Sequence, residues 1–206
     1  HEYVPIAVND EMTLTQFPMD TVAKLGLLKF DFLALRYLTI IEDACRQIRE
    51  SEPRFDIEKI SLNDKETFEL ISRGQTKGIF QLESGGMREM LKNLAPETLE
   101  DVIAAIALYR PGPMESIPKY IECRHNPEKV EYMLPCLEPI LRSTYGCVVY
   151  QEQVMSICRE VAGYSYGHAD VVRRAMSKKK ASVLKAEKES FISGAVGKGI
   201  EESKAA

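Results

Sequence analysis

The stretch LGLLKFDFLALRYLTIIEDACRQIRE, residues 25–50, contains two hydrophobic periods in succession. Alternate residues over 28–34 are apolar, and this period of two predicts a β-strand with one buried face. Lys29 and Asp31 lie on the opposite face of the predicted strand. Over 36–50 the apolar residues recur at helical spacing, which predicts an α-helix. The stretch therefore predicts a strand that leads directly into a helix.

Downstream of this stretch most of the chain has helical patterns bounded by capping residues, glycine or proline. The predicted helices run from Asn63 or Asp64 to Ser72, over 84–94, from Pro96 to before RPGP (110–113), near 115–125, over 151–163, over 167–180 and over 182–196. Only GIFQLE (78–83) and YGCVVY (145–150) have further β character. The predicted fold class is mostly α with a small β element, an α+β chain.

Composition indicates a globular protein, because 45% of the 206 residues are hydrophobic. No apolar run approaches the roughly 18 residues of a membrane-spanning helix. The first residues, HEYVPIAVND, lack a secretory pattern, so we expect a cytoplasmic location and no membrane partner. The five cysteines form no C-x-x-C pair, which argues against a structural zinc site.

Charge is unevenly distributed along the chain, whose formal net charge is -4. Residues 1–168 hold 18 basic and 26 acidic side chains, whereas 169–206 hold 9 and 5. Within ADVVRRAMSKKK (169–180), five cations lie between Arg173 and Lys180. On a helix, Arg173 lies beside Lys180 and Arg174 beside Lys178, and such like charges repel each other. The run predicts either an anion-binding face or a solvated helix end, and by itself it does not separate nucleic acid, nucleotide and acidic protein.

Further candidate contacts lie before this basic run. Arg110 in the rigid RPGP turn suits an anion contact, or marks only a helix stop. Tyr145 and Gln151, near Tyr150 and Gln153, could contact bases or sugars, or could pack and cap a helix. His168 precedes the basic run as a titratable donor to phosphate, or is incidental.

The Lys29–Asp31 pair has two interpretations: an exposed ion pair, or a metal-binding carboxylate next to a cation. Magnesium in phosphate-binding sites takes one or two carboxylates together with phosphate oxygens, and no second candidate lies nearby in sequence. The residues alone leave both interpretations open.

Five stretches, in order, resemble the bacterial replicative DNA polymerases of the C family, the polymerase III alpha subunits. They are LGLLKFDFLALRYLT, GIFQLESGGMREML, ALYRPGPM, TYGCVVYQEQVM and AGYSYGHADVVRRAMSKKK. The resemblance covers roughly residues 15–200. It implies a fragment of a much longer chain, with residues 1–36 as the end of the palm and 37–206 as most of a helical fingers domain.

The resemblance also implies roles for particular residues. In this family three palm aspartates hold two Mg²⁺ ions, and Asp31 matches the third of them, with Lys29 as a phosphate contact. The other two belong to a P-D-x-D-x-D-F motif, which does not occur in this sequence. The implied nucleotide contacts are Arg173, Arg174, Lys178, Arg110 and His168, and the implied DNA contacts are Lys179, Lys180, Tyr145 and Gln151. Ala34 and Gly85 depart from the family's usual residues, outside the implied chemistry.

The implied activity is template-directed addition of deoxynucleoside triphosphates to a primer 3′ end by two-metal phosphoryl transfer. Primer-template DNA, nucleotides, the sliding clamp and other replisome subunits are the implied partners of the parent. The fragment alone is expected to be inactive, because it carries one of three metal carboxylates. The alternative from another class is a noncatalytic helical module that binds nucleic acid or protein through residues 173–180.

Overall fold

The computed structural model describes residues 2–177 and 179–206 and divides into two compact units, one ending at Lys59 and one spanning Ile60–Ala206. The elements of the described chain are β1 (Ile6–Asn9), β2 (Met12–Thr15), α1 (Met19–Lys24), α2 (Arg36–Ser51), α3 (Lys65–Ser72), α4 (Gly85–Leu94), α5 (Leu99–Leu108), α6 (Ile117–His125), α7 (Glu138–Leu141), α8 (Gln151–Ala162), α9 (Tyr166–Ser177), α10 (Ala181–Gly197) and α11 (Glu202–Ala205). Short 3₁₀ turns connect several of them. The predicted class, mostly α with a small β element, is confirmed.

The first unit consists of a β-hairpin followed by α1 and α2. Strands β1 and β2 pair antiparallel, with Ile6 opposite Thr15 and Asn9 opposite Met12. Asp10 opens the two-residue turn with φ 52°, a left-handed conformation that Asp tolerates well. Helix α2 matches the predicted helix from residue 36 to about residue 50.

The predicted strand at residues 25–35 is wrong: this segment is extended or turn-like and pairs with no strand in the described chain. Its apolar side chains lie open to solvent, with Phe32 98% and Leu33 92% exposed. A strand requires a neighbour that satisfies its backbone hydrogen bonds. The alternating pattern therefore identified residues suited to a sheet face, but pattern alone does not supply the neighbouring strand.

The core of the second unit lies among α3, α4, α5 and α6. Leu91, Leu94, Ala105 and Leu108 are fully buried there, and Tyr120 is 1% exposed. Helices α3 and α4 begin at the polar caps that the sequence indicates, whereas α5 begins at Leu99 and not at the predicted Pro96, because Thr98 caps it. The capping side chains are Asp64, Ser84 and Thr98, which accept hydrogen bonds from Thr67, Met87 and Asp101 backbone amides respectively.

Helices α8, α9 and α10 pack together in the second half of this unit. Gly194 of α10 crosses α8 so closely that a Cβ atom there would overlap the carbonyl oxygen of Ala162. Gly163 ends α8 in the left-handed conformation, with φ 73°. The helix boundary predicted at Gly163 is therefore confirmed.

Three further local predictions differ from the structure. GIFQLE and YGCVVY form turns and irregular backbone rather than strands. The predicted helix 167–180 ends earlier, at Ser177, and Lys179 adopts a left-handed φ of 49°. The Lys180 amide donates to the Ala175 carbonyl and the Lys179 amide to that of Met176, over 2.9 and 3.1 Å. This pattern is that of a Schellman cap, which turns the chain into α10.

None of the helices described over residues 2–177 and 179–206 combines the length and apolar character that crossing a bilayer requires.

Candidate functional site

One face of α9 brings a carboxylate and two guanidinium groups into direct contact. Asp170 precedes Arg173 by three residues and Arg174 by four, so all three share one helix face. Asp170 Oδ1 lies 2.8 Å from Arg173 Nε and 2.7 Å from its Nη2. Asp170 Oδ2 lies 2.5 Å from Arg174 Nη2. A single carboxylate therefore bridges both arginines.

A second element also holds Arg173. Its Nη1 donates to Oε1 of Gln151, the first residue of α8, over 2.9 Å. The start of α8 is fixed by Gln153, whose Oε1 accepts from the amides of Val149 and Tyr150. Its Nε2 donates to Thr144 Oγ1 over 2.8 Å. Arg173 is thus anchored to a capped helix start as well as to its own helix.

Arg173 and Gln151 border a cleft of about 370 Å³. The turn after α5 contributes Gly112, Pro113 and Ser116 to the cleft, and α9 contributes Arg173, Met176 and Ser177. The segment 148–151 and Val154 of α8 line the rest. The structure therefore brings together the RPGP turn, Gln151 and Arg173, which are far apart in sequence.

The charges of the arginines act on Asp170. Its pKa lies below the usual range, chiefly because Arg173 donates hydrogen bonds to the carboxylate, and the two positive charges outweigh the opposing effect of partial burial. Asp170 is therefore ionised at neutral pH. Together with Arg173 and Arg174 it forms a cluster with one net positive charge.

Arg110 lies exposed at the start of the turn that borders the cleft. The turn is tight: the Met114 amide donates to the Arg110 carbonyl over 3.2 Å, and Gly112 has φ 111°. The predicted rigid turn at RPGP is therefore present. The structure gives no contact between the Arg110 side chain and the arginines of α9.

The remaining basic residues and Tyr145 occupy different surroundings. Lys179 and Lys180 are exposed where the chain leaves α9, and Lys178 lies outside the described residues. Tyr145 is half-buried and meets Tyr120 edge to face, with ring centroids 5.4 Å apart. Tyr145 therefore packs against the core of the second unit.

His168 contacts residues of its own chain. Its Nε2 lies 2.8 Å from Glu187 Oε2 of α10, and its ring stacks on Tyr164 with centroids 3.8 Å apart. The Tyr164 hydroxyl also donates to Glu187 Oε2, over 3.1 Å. This cluster ties α9 to α10.

Lys29 and Asp31 belong to the first unit, where Lys29 Nζ lies 3.1 Å from Asp31 Oδ1. Both side chains are exposed, at 62% and 61% respectively. Among the described residues there is no group of three or more His, Cys, Asp or Glu side chains that could hold a metal ion. Asp31 therefore belongs to no such group among the described residues, and a metal bound there would need further ligands.

A family model for the finger domain of bacterial DNA polymerase III alpha subunits matches residues 37–199. The chain belongs to this polymerase III alpha family. It is 52% identical over 203 residues to the DNA polymerase III subunit alpha of Staphylococcus aureus strain COL, which is 98% of this chain and 19% of the relative. The corresponding protein of Staphylococcus epidermidis is 51% identical over 202 residues, with the same coverage. The chain spans about a fifth of these relatives' length, and the predicted family is confirmed.

For this member of the polymerase III alpha family, sequence reasoning missed Asp170 and Glu187 and left the role of Gln153 open. Asp170 had a readable signal, because an acid three and four residues before two arginines predicts ion pairs on a helix. Glu187 had none, since it meets His168 only after α10 folds back on α9. Gln153 is buried and caps α8. Of its two interpretations, a contact to bases or sugars and a helix cap, the structure therefore supports the cap.

Proposed function

We propose that the chain is the end of the palm, residues 1–36, and most of the fingers, residues 37–206, of a template-directed DNA polymerase that copies the bacterial chromosome. The family match over residues 37–199 supports the fingers assignment. The relatives' name, DNA polymerase III subunit alpha, supports the activity of the parent protein. The chain alone is expected to add no nucleotide to a primer.

The pair of adjacent arginines on α9 carries the proposal for nucleotide binding. Arg173 borders the cleft, and the side chain of Arg174 is 60% exposed beside it. Guanidinium groups match phosphate oxygens in charge and in the spacing of their donors. The two arginines would balance and position the triphosphate of the incoming nucleotide, which favours an in-line transfer to the primer.

Other residues extend this surface toward nucleotide and DNA. Arg110 at the turn, His168 and Lys178 are the further nucleotide contacts in this proposal, and the exposed Lys179 and Lys180 are contacts to the DNA backbone. Gln151 borders the cleft and serves both Arg173 and DNA. Tyr145 lies among core residues, so its DNA contact is the part of the proposal that its packing supports least.

Asp31 is proposed as one ligand of a magnesium site that other carboxylates of the parent complete, with Lys29 as a neighbouring phosphate contact. Two bound Mg²⁺ ions would supply charge neutralisation at the triphosphate and activation of the primer hydroxyl. The exposure of both side chains leaves them accessible to phosphate and metal. Asp31 acts in this proposal as a ligand and not as a general base.

The parent's proposed partners are primer-template DNA, deoxynucleoside triphosphates, the sliding clamp and other replisome subunits. Its proposed location is the cytoplasm. The similarity to polymerase III alpha chains supports the DNA and nucleotide partners most directly.

The test is steady-state nucleotide incorporation by the intact polymerase with Arg173 and Arg174 both changed to alanine. We expect the nucleotide KM to rise about tenfold or more, since two charge-assisted phosphate contacts are lost. Arg73→Ala/Arg142→Ala is the matched control, because each of these exposed arginines pairs with a glutamate one helical turn away. An unchanged KM and kcat in the α9 double variant would contradict the proposed phosphate site.

DNA binding is measured separately with labelled primed DNA, by fluorescence anisotropy over a salt series. The proposal predicts an affinity that falls steeply with salt, and a shallower slope in Lys179→Ala/Lys180→Ala. An unchanged slope in that variant would remove both lysines from the DNA interface. The salt slope of Arg174→Lys is a further comparison, because this variant keeps the positive charge but loses the guanidinium fork.

A further inference from the structure

The carboxylate of Asp170 contacts guanidinium nitrogens of both arginines, as a phosphate group would. It accepts from two nitrogens of Arg173 and from one of Arg174, all within 2.8 Å. Carboxylate and phosphate oxygens compete for the same guanidinium donors, because both are anionic and similarly spaced. An anion that uses these donors must therefore share them with Asp170 or displace it.

Asp170 is well placed to exchange with an anion from solution. Its side chain is 27% exposed and that of Arg174 is 60% exposed, so an anion reaches the pair without unfolding the helix. The backbone of α9 keeps Asp170 within reach of both arginines when its hydrogen bonds break. Its return is an intramolecular step, which competes effectively with a dissociating anion.

The charge of the cluster supports the same conclusion. With Asp170 in place the three side chains carry one net positive charge, and without it they would carry two. The lowered pKa of Asp170, caused mainly by the hydrogen bonds from Arg173, keeps this carboxyl ionised at neutral pH. At neutral pH, protonation of Asp170 therefore does not remove its competition with phosphate for the arginines.

We propose that Asp170 is an exchangeable internal competitor for phosphate, which holds Arg173 and Arg174 when no anion is bound and promotes the release of pyrophosphate after nucleotide addition. The inference rests on the proposed role of these arginines as triphosphate contacts. Asp170 acts through the arginines and is a positioning residue. It weakens the binding of substrate and product phosphates alike and so limits product inhibition.

The experiment measures inhibition of the intact polymerase by pyrophosphate at fixed free magnesium, with primed DNA and varied nucleotide. In Asp170→Asn, which keeps the shape but loses the charge, we expect the inhibition constant of pyrophosphate to fall about five- to tenfold. The nucleotide KM should also fall in this variant. Damage to the site would weaken binding instead, so the sign of the change separates competition from a structural role.

Three further variants complete the design. Asp170→Ala should also tighten pyrophosphate binding and preserves the helix, because alanine is the strongest helix former. Asp170→Glu retains the negative charge and should stay close to the unaltered enzyme. Asp43→Asn removes a matched carboxylate from an exposed pair with Arg46 on α2 and should change neither constant.

The outcomes separate this inference from the proposed function. If Arg173→Ala/Arg174→Ala weakens pyrophosphate inhibition but the Asn and Ala variants at position 170 leave it unchanged or weaker, the competitor role is wrong and the phosphate site stands. If the arginine variant changes neither the KM nor the inhibition, the phosphate site itself is wrong. If Asp170→Glu tightens pyrophosphate binding as Asn does, the carboxylate charge is not the cause and the inference is overturned.

Discussion

Arg124 of α6 forms a bidentate ion pair with Asp101 of α5, with Nε 2.8 Å from Oδ1 and Nη2 2.9 Å from Oδ2. The Asp101 side chain is buried, at 5% exposure, and that of Arg124 is partly buried, at 11%. Asp101 also completes the capping box with Thr98 at the start of α5. Since the RPGP turn connects these two helices, the pair closes the helical hairpin that presents this turn to the cleft.

Loss of Arg124 is expected to destabilise the fold strongly. Arg124→Ala leaves the Asp101 carboxylate buried without its partner, which should lower the free energy of unfolding by about 3–5 kcal/mol. Urea denaturation measures the change. Arg142→Ala removes an exposed pair with Glu138 and should cost at most about 1 kcal/mol. Similar losses in the two variants would show that burial of the Arg124 pair has no special importance.

The same pair predicts how stability depends on pH. Burial raises the pKa of Asp101. The hydrogen bonds and charge of Arg124, with the hydrogen bond from the Glu97 amide, lower this pKa by a larger amount, so the pKa in the folded state lies below the usual value. The stabilisation is therefore present above the unfolded pKa of about 4 and is lost as pH falls through the lower folded value. Unfolding free energies across this acid range should fall less steeply for Asp101→Asn. If the unfolding free energies of Asp101→Asn and of the unaltered protein fell equally as pH is lowered, this assignment would be contradicted.

Gln151 is expected to tune nucleotide binding through Arg173. Gln151→Ala removes the acceptor for Arg173 Nη1 but leaves both contacts to Asp170. We expect the nucleotide KM of the intact polymerase to rise about two- to fivefold, since one hydrogen bond to a charged group is lost. Glu152→Ala, at the exposed next position, is the matched control. If Glu152→Ala raised the KM by as much, the cause would be a general disturbance of the start of α8 and not the loss of the Gln151 contact.

Asp31→Asn tests the metal-ligand proposal. In the intact polymerase we expect turnover to fall by orders of magnitude, whereas the thermal midpoint should change little because the side chain is 61% exposed. Single-turnover incorporation on primed DNA measures the effect. Asp20→Asn, an exposed acid on α1, should retain normal turnover. Normal turnover in Asp31→Asn would exclude Asp31 as a ligand.

Gly194→Ala tests the close crossing of α8 and α10. The added methyl group would overlap the Ala162 carbonyl, so the helices must separate, and we expect a loss of about 1–3 kcal/mol. Gly197→Ala on the same helix meets nothing within 4 Å and should be neutral or stabilising by up to about 1 kcal/mol. Chemical denaturation of both variants gives the comparison. Equal effects would mean that the crossing tolerates a side chain.

Local signals predicted the helices well, because the stereochemistry of a helix end is local. Asp64 and Ser84 cap α3 and α4 where their types and positions suggest, and Gly163 ends α8. The strand at 25–35 was predicted wrongly because a strand depends on hydrogen bonds to residues distant in sequence. The end of α9 at Ser177 was missed by three residues, since Lys179 adopts a left-handed conformation without glycine.

Local pattern and composition were enough to predict the class, most helix boundaries, the family and the positive charge of residues 169–206. Tertiary structure decided which of these residues meet. Arg173 lies beside Gln151 and the RPGP turn only because α9 packs on α8, and His168 contacts Glu187 only because α10 folds back on α9. Such contacts depend on the packing of whole helices, which no short stretch of sequence specifies.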